Sequence, residues 1–166
     1  MKIVALRGKG WTGKSTTLKM FLLCLMKKYD IATKNYETNT DFTAEDLEKE
    51  IKNENPTFLS SSAGAQDYIV KFEIDGVKYG ITTHGDDEGF LKKGFSFLED
   101  CDIVFCAVRT SGGSYGFLRD QERAQILLVN KTSIGWDKGA LKNPLEIINY
   151  SNEKQVEILL KIFENI

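Results

Sequence analysis

The first thirty residues constrain this chain more than any other stretch. Ile3-Val4-Ala5-Leu6 is a short apolar run suited to a buried strand, and it leads almost directly into Gly8-Lys9-Gly10-Trp11-Thr12-Gly13-Lys14-Ser15-Thr16. From about Ser15 to Tyr29 the pattern is helical, and residues 20 to 26 are apolar nearly all round, so this helix is expected inside other elements rather than on a surface. The spacing of Gly8, Gly13, Lys14 and Ser15 fits G-x-x-x-x-G-K-[ST] between a strand and a helix. In that setting the glycines let backbone N–H groups turn inward around an anion, and the helix N-terminus adds its positive end. Lys14 is then the candidate catalytic cation that neutralises the β- and γ-phosphates, and Ser15 offers its hydroxyl to Mg²⁺. Residues Gly8, Lys9, Gly10, Trp11, Thr12, Gly13, Lys14, Ser15 and Thr16 form the candidate phosphate-binding set.

Downstream, Asp67–Ile74 alternates in polarity, Asp75-Gly76 supplies a two-residue turn, and Val77–Thr83 returns, which predicts an antiparallel hairpin. Ile103–Val108 is apolar on both faces, as in the middle of a covered, mostly parallel sheet. Ile126–Val129 reads as a further buried strand that ends at Asn130-Lys131, and Leu145 to Ile148 is short and apolar enough for a last one. Helices are expected from Thr43-Ala44-Glu45-Asp46, with Ala44, Leu47 and Ile51 on one face, and over Phe90, Leu91, Phe95 and Leu98. Ser151 is expected to cap a terminal helix that turns Val156, Leu159, Leu160 and Phe163 inward. With no repeat, linker or low-complexity segment, residues 1–166 read as one α/β domain. The expected fold class is a three-layer sandwich: a mostly parallel central sheet with one antiparallel edge hairpin strand, and helices on both faces.

Charge narrows the partners. The chain carries 22 basic and 24 acidic residues without a long block of either sign, which points to neither nucleic acid nor membrane. Cys24, Cys101 and Cys106 each lie in an apolar run rather than in a ligand-like spacing, so they read as reduced core residues of a cytoplasmic protein. The apolar run Leu18–Met26 is too short to span a bilayer.

On Gly8, Gly13, Lys14 and Ser15 the chain resembles the P-loop nucleoside-triphosphatase superfamily. That resemblance implies a nucleoside triphosphate (ATP or GTP) as ligand, Mg²⁺ as cofactor, and cleavage or transfer of the γ-phosphate. Three finer resemblances divide the remaining signals. GKGWTGKS is similar to the loop of partition-type ATPases, in which the lysine at the place of Lys9 reaches across a homodimer; here Trp11 replaces a glycine, and the strand expected after the first helix lacks its apolar run, with Asp41 the nearby candidate for its closing catalytic aspartate. Thr82-Thr83-His84-Gly85 and Asn130-Lys131-Thr132-Ser133 resemble two GTPase segments, with Thr82 and Ser133 in place of their aspartates. The second substitution removes the carboxylate that accepts from guanine, so ATP is favoured. Residues 109–123, with Arg119 and Arg123 spaced one helical turn apart, resemble the arginine-bearing lid of small kinases, which would bring in a small-molecule phosphate acceptor.

Two roles stay open at this stage. Asp86 is the candidate metal-side or water-orienting carboxylate beside Ser15, and Asp86-Asp87-Glu88 also suits a helix N-terminus. His84, the only histidine, either touches phosphate or substrate or is a polar loop residue. The catalytic set expected is Lys14, Asp86 and Arg119, with Asn130 and Lys131 on the nucleotide. A nucleotide-sensing module with little turnover is the third functional reading.

Overall fold

The structure is a computed structural model and describes residues 1–9, 12–53, 66–121, 123–131 and 144–166. Along the chain, β1 (Lys2–Arg7) leads into α1 (Lys14–Tyr29), and β2 (Thr33–Asn35) and β3 (Thr40–Phe42) precede α2 (Ala44–Asn53). The hairpin strands β4 (Ile69–Ile74) and β5 (Val77–Thr82) are followed by α3 (Glu88–Phe97), β6 (Ile103–Val108), α4 (Gly113–Arg119), β7 (Gln125–Asn130) and α5 (Pro144–Phe163).

Five strands form one sheet in the order β4-β5-β6-β1-β7. β1 runs parallel to β6 on one side and to β7 on the other, β5 runs parallel to β6, and only β4 is antiparallel to its neighbour. The molecule is therefore α/β, with a mostly parallel sheet and one antiparallel pair at its edge. The turn Asp75-Gly76 has φ of 52° and 78°, the two left-handed residues that match the twist of a two-residue hairpin.

The strand period of two sorts the core into two faces. Val4, Leu6, Val70, Phe72, Tyr79, Ile81, Ile103, Phe105 and Ala107 pack with α1, α2 and α5. Ile3, Ala5, Ile69, Val104, Cys106 and Val108 pack with α3 and α4 through Leu91, Phe95 and Leu118. Phe21 of α1 is fully buried, with its ring 4.8 Å from Phe105 and 6.2 Å from Phe163. α1 touches α2 and α5 as well as the sheet, as its all-round apolar stretch requires. All three cysteines are free; burial pushes the thiols of Cys101 and Cys106 up to about 11 and about 12, so they act as packing residues.

After α1, β2 and β3 form a separate two-stranded ribbon, with Asp41 opposite Lys34. Three expectations need correction. Leu145 to Ile148 is helix rather than strand, because α5 begins at Pro144, a residue preorganised for the first helical position. Ser151 consequently lies inside α5 and does not cap it. β7 was expected to be buried, yet it pairs with β1 alone among the described strands and leaves Leu127 and Leu128 46% and 37% exposed. The start of α2 is as expected: Thr43 and Asp46 exchange a reciprocal capping contact, Asp46 N donating to Thr43 Oγ1 at 3.2 Å and Thr43 N to Asp46 Oδ2 at 3.0 Å.

Two substitutions test this packing. Phe21→Ala, which empties an enclosed aromatic site, should cost about 3–5 kcal/mol in denaturant unfolding. Gly76→Ala meets no atom within 4 Å and pays only for its left-handed backbone, so about 1 kcal/mol is expected in the same assay. Equal losses would mean that the aromatic cluster contributes far less than its burial implies.

Candidate functional site

Because β1, β5, β6 and β7 run in one direction, their carboxyl ends line a single edge of the sheet. α1 follows β1 onto one face and α4 follows β6 onto the other, so the loops after these adjacent strands diverge. Such a divergence opens a crevice at the strand ends, the usual ligand position in an open α/β sheet.

The glycine loop fills one wall of this crevice. It is anchored at its start by Gly8 N donating to Val108 O of β6 at 3.1 Å. At its end Gly13, with φ 76° and ψ 26°, forms the N-cap of α1 and brings no side-chain acceptor to the first-turn amides. A Cβ at Gly13 would also meet Asn152 Oδ1 at 2.8 Å, so both space and conformation call for glycine there. Lys14 is 5% exposed, and its Nζ donates to the carbonyl of Lys9 at 2.9 Å while lying 3.5 Å from Asp86 Oδ1. Burial lowers its pKa, and the Asp86 carboxylate opposes that shift. Lys9 thus acts through its main chain, also accepting from Thr12 Oγ1 at 2.9 Å, while its side chain is exposed. Gly10 and Trp11 lie outside the described residues.

The segment after β5 forms the opposite wall. Thr83 is tied into the sheet: its N–H donates to Tyr68 O, its hydroxyl donates to Asp67 Oδ1 at 2.7 Å, and Thr83 Oγ1 accepts from Tyr68 N at 2.8 Å. Its carbonyl accepts from Ser15 Oγ at 3.0 Å, which orients the hydroxyl of Ser15 and leaves the oxygen lone pairs available to a cation. Thr82 points elsewhere. Among the described residues its buried hydroxyl has no hydrogen-bond partner, and it would lie 2.7 Å from a Cβ on Gly94 of α3.

Gly85 then carries the chain over the end of β6. A Cβ there would fall 2.5 Å from both the carbonyl oxygen and the Cβ of Ala107, so only glycine can pass. This crossing delivers Asp86 to Lys14. Asp87, not Asp86, caps α3, accepting from Gly89 N at 2.7 Å and Phe90 N at 3.2 Å. His84 is a buried connector: its Nε2 lies 2.7 Å from Glu37 Oε2, its Nδ1 3.4 Å from Asp67 Oδ2, and its ring stacks on Phe90. Among the described residues, the contacts of His84 are to these groups and not to the loop of Lys14.

From β7 come Asn130 and Lys131, and they part company. Asn130 is exposed and accepts from Arg7 Nε at 3.0 Å. Lys131 is 5% exposed, sits against Gly8, and donates from Nζ to Asn152 Oδ1 at 2.7 Å. Burial, followed by the charge of Lys14, lowers its pKa to about 8. Asn152 also lies 3.2 Å from Thr17 Oγ1 and is 1% exposed, so one amide of α5 braces both the loop glycine and the second lysine. Sequence reasoning missed Asn152. The signal was there, since it is the polar member of an inward stripe with Val156, Leu159 and Phe163 at helical spacing.

The 109–123 segment contains α4, anchored by buried Leu118 and by Phe117 edge-on to Phe95 at 5.4 Å. Arg119 ends that helix, so Arg119 and Arg123 do not share a face; Arg119 is exposed and bonds Asp120. It is Arg109 that meets Asp86, Nε to Oδ1 at 3.2 Å.

As a metal site the crevice offers, among the described residues, one oriented hydroxyl, Ser15, and one carboxylate, Asp86. That set suits Mg²⁺ only if phosphate and water supply the other oxygens. Among the described residues no group of three or more histidine, cysteine or acidic side chains is placed to hold a metal by itself, and no helix is long and apolar enough to cross a membrane. Compared with protein-family models, with curated proteins and with solved structures, the chain matches none.

Two outcomes follow from this geometry. Gly85→Ala should destabilise the fold by more than Gly76→Ala, because the added methyl meets backbone rather than open space; comparison of their unfolding midpoints checks it. The second concerns Lys131. Its pKa is about 8 in the folded protein and near 10.4 in an unfolded chain, so between these values the unfolded state holds a proton that the folded state lacks. Stability contributed by this group should therefore rise with pH through that window. Its burial cost is fully present below about pH 8. Lys131→Met should flatten the rise in a pH series of unfolding curves.

Proposed function

We propose that this chain is a Mg²⁺-dependent P-loop nucleotide-binding protein that hydrolyses the γ-phosphate of a nucleoside triphosphate, ATP in preference to GTP. The observation that carries this reading is the pair of buried ammonium groups, Lys14 and Lys131, on either side of Gly8 at the mouth of the crevice. Buried charges are ordinarily paired. Lys131 rests on a neutral amide, and the carboxylate nearest Lys14 is more than half exposed. A polyphosphate matches what this arrangement lacks among the described residues: several negative charges on a chain long enough to meet both lysines and the amides at the start of α1. The resemblance of Gly8 to Ser15 to the P-loop motif, in its strand-to-helix setting at a sheet crevice, supports the same ligand.

Hydrolysis is favoured over transfer to an acceptor because the segment from Arg109, which would have to close over one, carries a packed helix. In this reading Ser15 holds Mg²⁺ through its oriented oxygen, and the ion screens charge on the phosphates when bound. Lys14 neutralises the phosphates and Asn152 keeps Lys131 and Gly13 in register. Lys9 contributes its carbonyl, so a role for its side chain across a homodimer is not part of the reading.

Lys14→Ala is expected to keep the fold and weaken ATP or GTP binding in the presence of Mg²⁺ by tenfold or more, from loss of charge-assisted contacts of about 1.5–3 kcal/mol. Isothermal titration with far-ultraviolet circular dichroism as the folding control measures this. Undiminished affinity in a folded Lys14→Ala protein would contradict the assignment.

A further inference from the structure

Asp86 leaves the capping of α3 to Asp87 and turns one oxygen towards two cations. One oxygen, Oδ1, sits 3.5 Å from Lys14 Nζ and 3.2 Å from Arg109 Nε, so a single anionic atom is shared by two cations of different origin. Each cation is held from behind. Lys14 is buried at the start of α1 with a second donor contact to Lys9 O, and Arg109 follows β6 with its backbone N–H bonded to Ser114 Oγ at 3.3 Å. Residue 108, just before it, accepts from the first glycine of the loop, which places the arginine beside the loop. Asp86 reaches both only because Gly85 passes over Ala107.

Resting on the phosphate-binding reading above, we propose that Asp86 holds the place of a phosphate oxygen between Lys14 and Arg109, and that the outermost phosphate of a nucleoside triphosphate displaces it and takes Arg109 as its contact. In this reading the first-turn amides of α1 take the inner phosphates, while Arg109, which follows the neighbouring strand β6, takes the outermost one. The ordinary alternative is a surface ion pair, since Asp86 is 58% and Arg109 48% exposed. An exposed pair contributes little, which also makes Asp86 easy to displace. What a surface pair does not account for is the buried Lys14 on the same oxygen and the close passage at Gly85.

The test uses the full chain and titrates ATP, GTP, ADP and GDP, each with Mg²⁺, after thermal unfolding has shown the variants folded. Arg109→Ala should weaken triphosphate binding tenfold or more and leave diphosphate binding within twofold, whereas Arg119→Ala should change neither. Asp86→Asn, which keeps the shape and removes the competing charge, should tighten triphosphate binding threefold or more without changing the Mg²⁺ concentration at half-saturation. Equal weakening of di- and triphosphate in Arg109→Ala, or no weakening, overturns the assignment of Arg109. Looser binding in Asp86→Asn, or a raised Mg²⁺ requirement, overturns the placeholder and marks Asp86 as a metal ligand. If the unaltered protein binds none of the four nucleotides, the nucleotide reading itself fails, and that result is distinct from any failure confined to the variants.

Discussion

Parallel pairing of β1 on both edges is the constraint on which the rest of the molecule depends. Lys2–Arg7 hydrogen-bonds along its length to Ile103–Val108 and to Gln125–Asn130, so its backbone groups are satisfied while both of its faces lie under helices. A strand so enclosed has to be apolar in succession, which Ile3-Val4-Ala5-Leu6 is. It also fixes where chemistry can occur. With its sides and faces covered, β1 communicates with solvent through its carboxyl end, where Gly8 is held to Val108 and Lys131 N–H to Arg7 O at 2.8 Å. The glycine loop, the arginine after β6 and the lysine after β7 converge because they leave three adjacent strands on the same edge.

Among the described residues, positive charge at that edge exceeds the negative charge facing it. Lys14 and Lys131 are both buried, and each feels desolvation as the largest influence on its pKa. Elsewhere the protein pairs its buried cation closely: Lys19, fully enclosed, has Glu50 at 2.7 Å, and Glu50 also contacts the hydroxyl of Tyr68. The contrast separates two uses of a buried lysine. Lys19 sits in a network that joins α1, α2 and Tyr68 just before β4, whereas the two lysines at the crevice rest on a carbonyl and an amide, with a longer contact to one exposed carboxylate. Neutral acceptors hold an ammonium in place without cancelling its charge, so the field at the crevice remains available to an anion.

How much of this could be read from the residues depends on whether the determinant is local. The hairpin turn, the all-apolar β6, the α2 cap and the strand–loop–helix at the start are each set by neighbours in sequence, and all were legible. The ribbon β2–β3 was not, because it is held by distant groups: Asn35 accepts from Ile69 N at 3.2 Å and donates to Asp67 O at 2.9 Å, and Thr33 donates to Lys71 O. Arg119 was preferred to Arg109 on the spacing of 119 and 123, a helical argument that fails because α4 stops at Arg119. Asn152 was overlooked for the opposite reason. A single polar residue in an apolar stripe signals a buried partner, but nothing in the sequence says that the partner is a lysine following a different strand.

The comparison of Thr82 with Thr83 shows how strand parity decides which residue serves the site. In a sheet with period two, Thr82 shares its face with Gly80 and points at α3, and its hydroxyl is buried there without a partner among the described residues. A carboxylate at that position would be buried against Gly94 and kept from the crevice, so the absence of an aspartate at 82 costs the loop nothing. Thr83 faces the crevice side but spends its hydroxyl on Asp67 and Tyr68, leaving only its carbonyl for Ser15. A carboxylate can approach Lys14 from this segment only after the chain has left the sheet and crossed β6, and the first residue beyond that crossing is Asp86. The acid of this site therefore comes from a loop rather than a strand. An acid on a strand has its position fixed by the sheet; one on a loop, held by a glycine crossing and two cations, can yield its place when a stronger anion arrives.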